Sequence, residues 1–308
     1  VASHHNPDGD AIGSQLGLAR AMRAQGLDVV LVHPDRDPVP PELAFLLAPG
    51  ERIVTGRPPA GEDRVLVAVD CASALRLWPD GEPPHAGVAE LVNIDHHHDN
   101  TRFGHLNLIE PTASSSAEVV VHVMEAAGWP LTPEVAAPLY VGLLTDTGRF
   151  CYSNTGTEAH RVAALLISAG ADPAELARLV YEEQPVERLL LLGRAATAAR
   201  VMAGGRMMLA ALGAADFAAA GGDDSEGVVE AMRAVRGITV TGLAREIRPG
   251  AWRVSLRSGD PAVDVSAIAR EEGGGGHRAA AGFSTARPPD ELFPWIESLV
   301  AAQLDGDA

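Results

Sequence analysis

The chain has 308 residues, enough for two ordinary domains, and its 46% hydrophobic and 21% charged residues match globular usage. A net charge of −17 argues against long duplex DNA or an anionic membrane as partner, and no apolar run reaches the roughly 20 residues a bilayer requires. All 24 basic residues are arginine, which excludes a phosphate-loop lysine, a Schiff base and a lysine nucleophile, so any side-chain cation that grips phosphate is Arg or protonated His.

Residues 1–3 read as the end of a buried strand. Residues 11–25 carry apolar side chains at helical spacing (Ile12, Leu16, Ala19, Met22) and stop at Gly26. A strand is expected over 28–33, a short helix over 41–47, and buried parallel-type strands over 65–70 and 91–95. Ser114 or Ser116 caps a helix that runs through Ala127, with Glu118 in its first turn. Helices follow over 133–144, 157–169 and 173–182. Strands alternating with helices imply an α/β fold with a mostly parallel, doubly wound sheet. Residues 1–184 form this domain, and 185–203 form a Leu- and Ala-rich helical linker. Residues 204–308 form a smaller α/β domain, with strands over 206–212, 237–247 and 252–257 and helices over 264–271 and 290–304. The glycine run 273–276 is followed by a small-residue helix at Ala279-Ala280-Ala281-Gly282. Gly221–Asp224 and Asp305–Ala308 are polar and expected to be mobile. Cys71 and Cys151 are expected to be reduced core thiols of a cytoplasmic protein. No signal peptide is visible, and residues preceding Val1 are expected to be missing, because Val1 already adjoins a motif.

The informative feature is where Asp and His fall. His4, Asp8 and Asp10 follow the first strand, Asp70 ends VLVAVD, Asp95-His96-His97-His98 ends LVNID, and Asp146 follows the helix-like GLLT. In an open parallel sheet, ligands bind beyond the carboxyl ends of the strands, so distant segments can deliver these groups to one crevice. Each signal alone has a bland reading: a strand-end Asp caps or turns, Asp-Gly-Asp is a common turn, and a His run is a solvated loop. Together, crowded carboxylates need a counter-charge. Imidazole mixed with carboxylate and no thiolate suits Mn²⁺, with Mg²⁺ or Co²⁺ as alternatives.

These residues resemble the DHH phosphoesterase superfamily, in the group of bacterial nanoRNases and pAp phosphatases. The segment from His4 through Asn6-Pro7-Asp8-Gly9-Asp10 to Ser14 is similar to its first motif. Asp70 stands at the second, Asp95-His96-His97 at the third and Gly142–Gly148 at the fourth. Arg257-Ser258 and Gly273–Gly276 with His277, Ala280, Ala281 and Gly282 resemble the DHHA1 domain. The resemblance implies two divalent ions about 3.5–4 Å apart. One would be held by His4, Asp8 and Asp70, and the other by Asp10, Asp70, His96 and Asp146. His97 would face the substrate phosphate, and Asp95 would orient a neighbouring imidazole. His5 and His98 have no implied role.

Further implications concern substrate. Arg257, Ser258, Gly275, Gly276 and His277 would hold the substrate's far end, with domain packing as the other reading of His277. Arg149 either contacts phosphate or forms a solvated salt bridge. The implied activity is hydrolysis of short oligoribonucleotides to mononucleotides and of 3′-phosphoadenosine 5′-phosphate (pAp) to AMP. The alternative is a cyclic or linear dinucleotide phosphodiesterase. Partners are then short RNA or DNA oligonucleotides and small nucleotides, with room for a homodimer.

Overall fold

The computed structural model describes residues 1–37, 39–58 and 60–305, apart from the side chains of Glu62, His277 and Asp305. The expectations for 306–308 and for the His277 side chain therefore lie outside the described residues. The chain divides into two compact units, Val1–Glu183 and Gln184–Ala308. No described helix is long and apolar enough to cross a membrane.

The first unit contains, in order, α1 (Gly9–Ala24), β1 (Leu31–His33), β2 (Ile53–Thr55), β3 (Gly61–Val69), α2 (Ala74–Leu77), β4 (Val88–Asp95) and β5 (Leu106–Ile109). Helices α3 (Ser116–Ala127), α4 (Pro133–Asp146), α5 (Thr157–Ser168) and α6 (Pro173–Tyr181) complete it. β1 pairs with β2, β3 with β4 and β4 with β5, all in parallel. The expected first strand shrinks to Ala2, which bridges in parallel to Val32 and Ala68 and so joins the two groups of strands. Ile12, Leu16, Val69, Ile94, Val120, Leu139 and Leu143 pack in the main core between the sheet and the helices. The other face is sealed by Leu66, Leu77, Trp78 and Leu91. β2 and β5 were not expected from the sequence. Each is three or four residues long and largely exposed, too short to show a readable alternation.

Helices α1 and α4 approach closely because α1 presents glycine every fourth residue. A Cβ on Gly13 would stand 2.3 Å from the Pro138 carbonyl oxygen, and one on Gly17 would stand 2.5 Å from Leu139 Cγ. Pro138 lies inside α4 and has no N–H, so the Glu134 carbonyl loses its helical donor. Arg20 of α1 supplies one instead, donating from Nη1 at 2.7 Å. The same guanidinium reaches Glu51, which also accepts from Arg23.

The second unit contains α7 (Val186–Ala198), β6 (Arg200–Met202), β7 (Met207–Leu212), α8 (Ala214–Ala220), α9 (Val228–Arg233), β8 (Val240–Arg248) and β9 (Ala251–Ser258). It ends with α10 (Val265–Glu271), β10 (Gly275–His277), β11 (Ala280–Thr285) and α11 (Pro289–Asp305). The sheet order is β10-β11-β9-β8-β7-β6, antiparallel except for the β7–β8 pair. Val254, Leu256, Phe283, Leu292 and Ile296 pack in one core. Leu191 and Ala195 of α7 pack with Ala210, Leu212, Met232 and Leu243 in the other.

Two expectations are corrected. The AAAG segment is strand β11 rather than a helix: Ala281 and Phe283 alternate into the core, and a Cβ on Gly276 would meet the Ala280 carbonyl at 2.5 Å. A pure helix-propensity reading of Ala misses this tertiary pairing. Only Cys71 is a core thiol; Cys151 is exposed in the loop after α4.

Gly13→Ala should lower stability by about 1–3 kcal/mol through overpacking against Pro138, despite alanine's better helix propensity. Gly193→Ala, on an α7 face with nothing within 4 Å, should instead raise it by about 0.5–1 kcal/mol. Denaturant midpoints of the two variants check this; a Gly13→Ala protein as stable as the parent would show that the α1–α4 contact is not limiting.

Candidate metal centre

The site grows from four strand and helix ends. Asp8 caps α1, accepting from the Asp10 and Ala11 amides at 3.1 Å each. Asp70 follows β3 in a left-handed conformation, φ +54°, which an aspartate tolerates better than most residues. Asp95, His96 and His97 lie at the end of β4, and Asp146 is the last residue of α4.

Asp10 is 1% exposed. Its Oδ2 accepts from the Ser116 amide at 2.6 Å, and its Oδ1 accepts from the Ala117 amide at 2.9 Å and from Ser14 Oγ at 3.1 Å. The carboxylate thus sits on the N-terminus of α3, where free amides and the helix dipole favour negative charge. Ser115, not Ser114 or Ser116, caps that helix. Ser116 turns its hydroxyl to Asp70 Oδ1 at 3.0 Å instead.

His4 Nε2 lies 3.4 Å from Asp70 Oδ2 and 4.0 Å from Asp8 Oδ1. His96 Nε2 lies 3.7 Å from Asp70 Oδ1, 3.6 Å from Asp146 Oδ2 and 4.0 Å from Asp10 Oδ2. The potential donors fall into three groups that share members: His4 with Asp8 and Asp70; Asp10 with His96 and Asp146; and Asp70 with Asp95, His96 and His97.

Asp95 is fully buried and already committed to hydrogen bonds. It accepts from the His96 amide at 2.9 Å, from His97 Nδ1 at 2.8 Å and from Asn100 Nδ2 at 2.6 Å. Asn154 donates to the Asp146 carbonyl at 3.0 Å and to the Ser114 carbonyl at 2.8 Å, tying the end of α4 to the start of α3. Asn100 and Asn154 were not singled out in the sequence, and Ser116 was singled out only as a candidate cap. The serine run 114–116 was the one visible signal, and it read only as a helix cap.

The electrostatics call for a cation. Burial, with Asp70, Asp146 and Asp8 nearby, drives the Asp10 carboxyl well above its ordinary range. Burial, reinforced by Asp70 and Asp8, pushes Asp146 up to about 6. Burial acts the same way on Asp70, but the hydrogen bond from His4 and the charges of His4, His97 and His96 outweigh it and hold that carboxyl low. Burial disfavours the His97 imidazolium, yet Asp95 and Asp70 raise it to about 9. A set of carboxylate oxygens and imidazole nitrogens, with the Cys71 thiol turned to the Ser73 carbonyl, fits a divalent cation of the harder or borderline kind.

Other candidate residues fall elsewhere. Arg149 makes no salt bridge among the described residues; its guanidinium stacks 4.0 Å over the Tyr181 ring. His5 pairs with Asp35. In the second unit, Arg257 pairs with Glu230 at 3.1 Å, and Ser258 Oγ is taken up by the turn at Asp260. Gly275 and Gly276 belong to β10, and a Cβ on Gly275 would meet nothing within 4 Å.

Residues 1–143 match the DHH family N-terminal domain, and residues 214–297 match the DHHA1 domain. The chain is 38% identical, over 92% of its length and 82% of the relative's, to the bifunctional oligoribonuclease and PAP phosphatase NrnA of Thermus thermophilus. It is 27% identical, over 92% of its length and 88% of the relative's, to a probable NrnA of Streptococcus mutans. An exopolyphosphatase-related protein from Bacteroides fragilis superposes with a TM-score of 0.86 at 26% identity, covering 98% of this chain and 91% of that one.

Asp95→Asn should return the His97 imidazole from about 9 toward the ordinary value of about 6.5. Ring-proton NMR titration of chelator-treated protein reads this directly. A His97 titration unmoved by the substitution would remove Asp95 as its electrostatic partner. The paired domains and the near full-length relative together establish that this chain belongs to the DHH family of phosphoesterases and carries the family's DHHA1 domain.

Proposed function

We propose that this chain hydrolyses short oligoribonucleotides to mononucleotides and 3′-phosphoadenosine 5′-phosphate to AMP. The observation that carries this reading is the set of overlapping carboxylate–imidazole groups that share Asp70 and His96, with the His97 ring partly exposed beside them. The NrnA relatives, named as bifunctional oligoribonucleases and PAP phosphatases, support the substrate class.

In this reading His4, Asp8 and Asp70 would hold one divalent ion, and Asp10, Asp70, His96 and Asp146 would hold a second. When bound, such ions, Mn²⁺ by preference, supply the Lewis-acid charge that phosphoryl transfer to water requires. The chain's own residues do the rest. Asp10 keeps its geometry because the α3 amides fix both its oxygens. Asp95 accepts the hydrogen bond from His97 Nδ1–H, which leaves Nε2–H to face the substrate. A ring that carries this Nε2 proton can give it to the departing oxygen. In the second unit, Arg257, Ser258, Gly275, Gly276 and His277 contact the second phosphate or nucleotide. For Arg257 this means exchanging Glu230 for the ligand. Short substrates also suit a chain of net charge −17, which offers no basic track to a long strand.

A product assay on pAp, RNA dinucleotides and cyclic dinucleotides, after chelation and Mn²⁺ repletion, tests the reading. Activity should vanish on chelation and return with Mn²⁺, with mononucleotide products. Full turnover in excess chelator would defeat it.

Asp70→Ala should abolish turnover, because its carboxylate faces both groups of donors. Asp95→Ala should cost only about 10–100-fold, since it acts through the imidazoles it orients. Steady-state rates on one substrate compare the two; equal, small losses would overturn this division of roles.

A further inference from the structure

Arg76 lies on α2, the single short helix between Asp70 and β4, outside every motif considered above. Its backbone is tied to the loop that carries His4: the Arg76 carbonyl accepts from the His5 amide at 2.7 Å. The Ser73 hydroxyl, which caps α2, accepts from the Arg76 amide at 3.3 Å. The guanidinium reaches the edge of His4 opposite the one that faces the carboxylates, with Nη2 3.1 Å from His4 Nδ1.

That contact does not satisfy it. His4 turns Nε2 toward Asp70 and Asp8, and its Nδ1 also lies 2.9 Å from the His5 carbonyl. When Nε2 offers its lone pair to a cation, Nδ1 carries the proton and donates it to that carbonyl. A protonated Nδ1 accepts nothing from arginine. Among the described residues, Arg76 has no carboxylate partner, although Asp8, Asp10, Asp70, Asp95 and Asp146 all line the neighbouring crevice. Three other half-buried arginines of this unit do meet a carboxylate, Arg20 and Arg23 at Glu51 and Arg57 at Asp80, whereas Arg64 pairs with none among the described residues. A half-buried guanidinium with unmatched donors is costly unless an anion arrives. Its field also reaches His97, where it opposes the imidazolium.

We propose that Arg76 is a substrate contact that takes the non-bridging oxygens of the substrate phosphate on the His4–His97 side of the crevice. The inference rests on the phosphoesterase reading and adds a residue to it. Arginine's planar fork matches a phosphate that presents two free oxygens. A terminal monoester carries more negative charge than an internal diester, so the contact favours monoester substrates such as pAp.

The test compares Mn²⁺-loaded wild type, Arg76→Ala and Arg76→Lys. It reads kcat/KM on pAp and on an RNA dinucleotide, bound Mn²⁺ by elemental analysis, and affinity for inorganic phosphate by calorimetry. Arg76→Ala should lose about 10–100-fold in kcat/KM, more on pAp than on the dinucleotide, with a comparable loss of phosphate affinity and unchanged Mn²⁺ content. Added guanidinium ion should restore part of the Arg76→Ala activity, and Arg76→Lys should fall between the other two. Unchanged phosphate affinity in Arg76→Ala overturns the proposal. So does a loss of activity that follows a loss of Mn²⁺, which would reduce Arg76 to a support for His4. If wild type hydrolyses neither substrate while its phosphate affinity still depends on Arg76, the contact stands and the substrate reading falls.

Discussion

Asp10 keeps a carboxylate at 1% exposure, and the first unit is built around making that tolerable. An isolated buried carboxylate would shed its charge, because desolvation costs far more than a few hydrogen bonds return. Here two amides of α3 and the Ser14 hydroxyl take its oxygens, so helix α3 must begin where α1 ends its first turn. Helix α4 must also pass close by: a Cβ on Gly142 would stand 2.8 Å from Asp10 Oδ1. The glycine stripe of α1 serves the same demand, since it lets α4 bring Asp146 alongside. What remains uncompensated is the repulsion among Asp10, Asp70 and Asp146, and a divalent cation relieves it.

Around these carboxylates, polar side chains act as brackets. Asp95 accepts from the His96 amide, the His97 ring and the Asn100 side chain, and so ties the loop after β4 to the strand end. Asn100 also holds the Cys71 carbonyl, which links the loop after β4 to the residue following Asp70. Asn154 does the same between α4 and the start of α3. Such side chains let loops carry chemistry with the precision of the strands that deliver them.

Much of the first unit was legible because its signals are local. VLVAVD and LVNID are continuous apolar runs ending in acid, and the helices declare themselves by apolar periodicity. The boundaries moved by a few residues: α1 starts at Gly9 rather than residue 11, because Asp8 caps it. The short edges β2 and β5 were not legible, and neither were α8 and α9, whose six or seven residues carry too few turns to set a period. AAAG misled because alanine's intrinsic preference is helical. Pairing with β9 on one side and β10 on the other overrides that preference.

By itself, the sequence determined the inventory of this protein: which acids and imidazoles exist, that no lysine can grip phosphate, and that the acids stand where parallel strands stop. Order along the chain and strand-end placement are one-dimensional properties, so they survive without coordinates. Only the tertiary structure decided which oxygen faces which nitrogen. It set Asp95 on His97 Nδ1, put Ser116 on Asp70, stacked Arg149 on Tyr181 and left Arg76 beside His4 with no carboxylate partner among the described residues. Those choices depend on contacts between residues tens of positions apart. Burial and hydrogen-bond geometry set them, and neither is a property of any local stretch of chain.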